Sequence, residues 1–132
     1  MLGNSQNVFV AVAAVFYTAA GFLHFLRPAM YMKIMPPYVP WHGAMVYLSG
    51  AAEIAGGLGL LIPMVRRAAA IGLIALLIAV FPANIYMATN PVEAGAGGLP
   101  PVALWGRLLL QPLFIWWLWW CTRPSRRVLT AA

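Results

Sequence analysis

Four long apolar segments divide this chain, over residues 8–26, 43–63, 68–88 and 103–121. Each is close to the roughly 20 residues that an α-helix needs to cross a hydrocarbon layer about 30 Å thick. The pattern predicts an all-α fold, an integral membrane bundle of four transmembrane helices. The first segment ends at Arg27-Pro28, where proline stops a helix. Residues 64–67 read as a tight turn. The link over 27–42 is longer. Its first part, 29–35, reads as a short interfacial helix carrying Tyr31 and Lys33. Pro36, Pro37 and Pro40 then predict a stiff, extended approach to the second long helix. The link from 89 to 101 is rich in Gly and Pro and reads as flexible. No internal repeat is evident, and residues 1–132 read as one domain.

Composition agrees with this pattern. The chain has 132 residues, 64% of them hydrophobic and 8% charged. A soluble domain carries about 25% charged residues, so this chain has too few to solvate a surface. The net charge of +6 is spread between hydrophobic segments and is no nucleic-acid footprint. The expected partner is the lipid bilayer. One cysteine, Cys121, excludes an intramolecular disulfide and any CxxC pair. Residues 1–7 lack Lys and Arg, and the apolar stretch after them is too long for a signal-peptide core, so the first helix is read as retained.

Charge sets the expected topology. Arg66, Arg67, Arg123, Arg126 and Arg127 share one side of the alternating helices. Arg27, Lys33 and Arg107 fall toward the other, offset by Glu93. The positive-inside rule places both termini in the cytoplasm of a multi-pass protein of the cell inner membrane. Trp116, Trp117, Trp119 and Trp120 crowd the inner edge, and Trp41 and Trp105 the outer one. Lipid anchoring at headgroup level explains them better than a stacking site does.

Against that background Glu53 stands out. It is one of two acidic residues and sits roughly 15 Å into the second segment, near mid-bilayer. An acidic side chain there costs about 2.5–3.5 kcal/mol. It needs a partner, a proton or a function. By helical rise, His24, Asn84, Arg107 and Gln111 join it in the outer half, while the inner half is nearly all apolar. Arg107 and Gln111 share a face, as do Tyr17, Gly21 and His24. Ser49, Gly50, Gly56 and Gly57 lie near the Glu53 stripe, and small residues let another helix approach. Pro82 and Pro112 free backbone carbonyls, which often line cavities. Two readings follow. Glu53 pairs with Arg107 or His24 and locks the bundle, or it is the deepest group of an outward-opening pocket. Neither His24 nor His42 belongs to a set of three ligands, so no metal site is expected. No nucleotide or hydrolase motif is present.

The residues also carry a resemblance. GFLHFLRP at 21–28, IMPPYVP at 34–40, YLSGAAEIAGG at 47–57 with Arg66 and Arg67 after it, FPANIYMA at 81–88 and RLLLQ at 107–111 together resemble the DoxX-like family of small membrane proteins. The resemblance spans nearly the whole chain. It implies a four-helix membrane bundle, with members tied to a thiosulfate:quinone oxidoreductase, to oxidative-stress complexes and to chaperone-like roles. The missing cysteine pair departs from the thiol-handling relatives. The resemblance assigns no catalytic residue. Glu53, Asn84, Arg107 and Gln111 match its polar positions.

The leading expectation is therefore a quinone-linked redox accessory subunit. It needs no intrinsic cofactor, takes quinone as its candidate ligand, and has a redox protein or a second copy of itself as candidate partner. The alternative is a non-catalytic assembly factor or chaperone-like scaffold. A stand-alone enzyme acting on an apolar molecule through Glu53 ranks third, and a transporter ranks below that.

Overall fold

Prolines and polar turns set the helix limits. The computed structural model describes residues 2–124, and its elements are α1 (Asn4–Leu26), α2 (Pro28–Ile34), α3 (His42–Leu60), α4 (Arg66–Thr89) and α5 (Pro101–Cys121). The protein is all-α, and α1, α3, α4 and α5 are long and apolar enough to cross a membrane. Helix α1 starts four residues earlier than the apolar run because Gln6 organises its first turn. The Gln6 Oε1 accepts the Gly3 N–H at 3.0 Å. Helix α3 stops at Leu60 rather than at 63, because proline disfavours helical backbone at the residue before it, here Ile62. Helix α5 opens with Pro101 at its first turn, where the missing N–H has no partner to lose. Arg66 and Arg67 belong to α4, not to the turn before it. Arg126 and Arg127, counted above for topology, lie outside the described residues.

Both links depart from expectation. After Pro36 the chain turns instead of extending. Pro37 and Tyr38 form the corner, closed by the Val39 N–H on the Pro36 carbonyl at 3.0 Å. Proline at the second position of a β-turn presets the backbone for such a corner. The His42 ring nitrogen Nε2 donates to the same carbonyl at 3.1 Å. Residue Trp41 between them takes a left-handed φ of 52°. The 90–100 link folds as successive hydrogen-bonded turns with Ala94 and Ala96 buried. Its glycines supply turns, and its alanines supply something to bury.

Helix α1 packs most extensively on α3, and α4 packs about equally on α3 and α5; toward the α2 end the helices part into two pairs, α1 with α3 and α4 with α5. Glycines allow the first pair to meet backbone to backbone. A Cβ on Gly50 would lie 2.6 Å from the His24 Cβ and 2.9 Å from the Gly21 carbonyl oxygen. A Cβ on Gly57 would lie 2.9 Å from the Thr18 nitrogen. Gly56 and Gly59 point elsewhere, toward Leu73 and Ala69 of α4. The single glycine stripe read from sequence thus serves two neighbours. Small residues are the usual device for close helix approach where lipid weakens the hydrophobic drive.

The two pairs share one core at the end where α1 begins and α5 finishes, the terminal end. Val10, Ala13, Leu60, Leu73, Leu118 and Cys121 are among its buried members. Aromatic contacts close α1 on α5 there. Phe9 meets Trp120 edge-on at 5.3 Å, and Phe16 meets Phe114 at 5.7 Å. Side chains then stitch the helix ends. Gln6 Nε2 donates to the Trp120 and Arg123 carbonyls. Arg66 Nε donates to the Leu60 carbonyl at 2.6 Å. Arg67 donates to the Trp119 carbonyl and Thr122 Oγ1, with its guanidinium 3.8 Å from the Trp119 ring centroid. The Leu60 and Trp119 carbonyls lie in the last turns of α3 and α5, where intrahelical donors run out. At the opposite end a second, smaller core holds Met87, Ala88, Ala94, Ala96 and Leu104. It belongs to α4, α5 and their link alone. Helix α2 crosses that end, touching α1, α3 and α4, with Ile34 resting on the smaller core.

Candidate functional site

Because the pairs share a core only at the terminal end, space opens between them at the other. A cavity of about 530 Å³ lies there, lined by all five helices and by the turn after α2. That volume falls within the range of small-molecule sites, roughly 300–1,000 Å³. His24, Glu53, Asn84, Arg107 and Gln111 all line it. These are the five polar residues that helical depth had grouped. Their helices place them as counted. Glu53 is about 16 Å along α3 from its start at the α2 end, and Arg107 is about 9 Å along α5. The floor is apolar and aromatic, where Phe16 meets Phe114.

Polar contacts form within each helix pair and not across the cavity. In the α1/α3 pair, His24 Nδ1 lies 3.1 Å from Glu53 Oε2. The same nitrogen lies 3.0 Å from the Ala20 carbonyl. One N–H then faces two acceptors, and among the described residues Glu53 Oε2 has no well-directed donor. In the α4/α5 pair, Asn84 Nδ2 donates to Gln111 Oε1 at 2.6 Å, and Gln111 Nε2 donates to the Leu77 carbonyl. The bonded carbonyl is one residue before that of Ile78, which Pro82 leaves without its helical donor. The expected Glu53–Arg107 pair is not made. Arg107 sits about 7 Å nearer the α2 end than Glu53 and belongs to the other helix pair. Its Nη1 instead approaches the Met87 sulfur at 3.7 Å. Of the two lock partners foreseen, His24 is the one that reaches Glu53.

Three lining residues were not foreseen as part of the cluster. Tyr31 of α2 stacks on His24, with ring centroids 3.8 Å apart and planes 16° from parallel. Burial pushes the Tyr31 phenol above its usual range; Glu53 adds to that and Arg107 opposes it. The phenol therefore feels both wall charges. Tyr17, placed on the His24 stripe but not in the cluster, is 2% exposed, and its hydroxyl has no partner among the described residues. Ser49, one turn before Glu53, also lines the space. The usable signal was an aromatic on a short helix that must fold back over the bundle. His42 lies apart, tied to the Pro36 carbonyl. Among the described residues no three His, Cys, Asp or Glu side chains gather as a metal site requires.

The fold and the cavity together define a class: a small bundle of two apolar helix pairs that hold a polar-walled chamber between them. Its family is shown by a family model described as Domain of unknown function (DUF8561), which matches residues 13–122, and the chain belongs to that family. The matched span contains every residue of the site. No curated protein and no solved structure matches the chain.

Proposed function

We propose that this protein spans the cell inner membrane, with both termini in the cytoplasm, and binds a small amphipathic molecule in the chamber between its helix pairs. The observation that carries this reading is the chamber itself. It gathers the strongly polar residues of the helix interiors, His24, Glu53, Asn84, Arg107 and Gln111, around an otherwise apolar space. A lock alone gives no reason for such a space, since a structural ion pair is best packed shut. Four spanning helices and the arginines at the terminal end support the orientation.

The DoxX-like resemblance suggests the concrete form. The bound molecule is a quinone, and the protein is an accessory subunit that positions it for a partner redox protein. Ring stacking of His24 on Tyr31 and the Phe16–Phe114 floor suit a flat head with an apolar body. Glu53 is placed to exchange a proton with such a head, while electrons pass to the partner.

The test is extraction of the full-length protein purified in lipid nanodiscs, read by ultraviolet spectra and mass spectrometry. Wild type should carry quinone at close to one per chain. Glu53→Gln should keep the helical circular dichroism of wild type and lose most of that quinone. Wild-type protein that neither carries quinone nor takes it up from quinone-loaded nanodiscs would overturn the reading.

A further inference from the structure

The aromatic stripes that join α1 to α5 continue past the point where the two helices part. On α1, Phe9 and Phe16 are followed at helical spacing by Ala20 and Leu23. On α5, Trp120, Trp117 and Phe114 lead at the same spacing to Leu110 and Gly106. Among the described residues no ring contact or hydrogen bond joins the two helices nearer the α2 end than Phe16 and Phe114. Helix α1 runs about 15 Å further. Helix α2 leaves this seam uncovered, since it touches α1, α3 and α4 but not α5. It bridges the opposite seam, between α3 and α4. Exposure marks the open side. Phe16 and Leu110 line the chamber yet are 46% and 44% exposed, whereas Val46 and Gln111 line it and are 3% and 5% exposed. Leu23 is exposed on the same α1 stripe. A Cβ on Gly106 would meet nothing within 4 Å. The chamber therefore opens sideways between α1 and α5, and the edges of that opening are mainly apolar.

We propose that this seam is a lateral opening to the lipid, and that the chamber holds the head of a molecule whose apolar tail passes through the seam into the bilayer. This rests on the reading of the chamber as a small-molecule site within a membrane. It narrows the chemical class to a ring head on a long alkyl or isoprenoid tail. A space of about 530 Å³ suits a ring head but cannot hold a long tail as well. The tail needs an exit. Lipid acyl chains are as apolar as the leucines at the seam, so a tail passes from one to the other at no cost. A tail directed at the α2 end would meet α2 and the turn after it, both of which line the chamber there. A molecule with the same ring and no tail gains none of the seam contacts and is the weaker ligand.

The experiment compares decylubiquinone with the same benzoquinone ring lacking its tail, each titrated into full-length protein in nanodiscs and followed by tryptophan fluorescence. Leu23→Phe combined with Gly106→Phe narrows the seam from both edges, and neither residue lines the chamber. This variant should bind the tailless ring within about twofold of wild type. It should bind decylubiquinone about tenfold more weakly, the effect expected from overfilling a contact. Equal changes for the two probes, or none for either, would overturn the seam and leave the quinone-site reading standing. Wild-type protein that binds neither probe would overturn both. A second measurement needs no variant. Decylubiquinone with a photoreactive diazirine near the base of its tail should label α1 beyond Phe16 and α5 before Phe114 in wild type. Labelling confined to α2 or to the turn after it would overturn the proposal.

Discussion

The two ends of this bundle use the same kinds of helix to opposite effect. At the terminal end the helix pairs converge. Leu60, Leu118 and Cys121 are fully buried, Phe and Trp rings join α1 to α5, and Gln6, Arg66 and Arg67 stitch the helix ends. At the α2 end each pair is held by its own means, glycine contacts for α1/α3 and a small alanine-rich core for α4/α5. Between them is the chamber. Side-chain chemistry explains the difference. Flexible apolar side chains and rings fill the space between helices. Polar groups that bond within their own pair give the opposite wall no reason to approach. A bundle can thus be rigid at one end and hollow at the other without any change in secondary structure.

Four sets of substitutions would break or sharpen that contrast. The largest effect belongs to the closed end. Leu118→Ala should lower unfolding free energy by about 2–5 kcal/mol, because the close-packed surroundings collapse only in part. Val80→Ala, on the chamber wall, should cost well under half of that, since one side of Val80 faces empty space. Thermal unfolding of both variants in one detergent checks the pair. Next comes the glycine contact. Gly50→Ala drives its Cβ into the His24 Cβ and the Gly21 carbonyl, neither of which can swing aside, and should cost about 1–3 kcal/mol. Gly72→Ala in α4 meets nothing within 4 Å and should stabilise by about 1 kcal/mol through helix propensity. If both behaved alike, backbone contact would not be what joins α1 to α3.

The third prediction concerns bonding within a pair. A double-mutant cycle of Asn84→Ala and Gln111→Ala should show a coupling of about 1 kcal/mol. The same cycle on Glu53→Ala and Arg107→Ala should give close to zero in ligand-free protein, since those side chains face each other across space. A large coupling there would mean that the chamber closes as an ion-pair lock. The smallest effect is at the stitching. Gln6→Ala should lower stability by about 0.5–1 kcal/mol and speed hydrogen exchange at the start of α1, leaving α2 untouched.

Much of this could be read from the order of residues alone. Length, hydropathy and prolines define four long helices and one short one, to within a few residues. Counting rise per residue also groups His24, Glu53, Asn84, Arg107 and Gln111 in one half of the bundle, because depth along a helix is a linear property of sequence. Partner choice is not linear. Glu53 could reach His24 or Arg107 by depth, and the sequence favoured neither. Only the pairing of α1 with α3, and of α4 with α5, settled that His24 is the neighbour and that Arg107 faces Glu53 across a gap. The same holds for α2. Its existence follows from Pro28 and the residues after it, but the stacking of Tyr31 on His24 depends on where the turn at Pro36–Val39 sends the chain. Composition suggested a flexible 89–101 link, yet Ala94 and Ala96 find a core made by the flanking ends of α4 and α5. Helix identity and depth are local, fixed by hydrogen bonds four residues apart. Which walls meet, and which leave a chamber, is decided by packing between residues far apart in the chain.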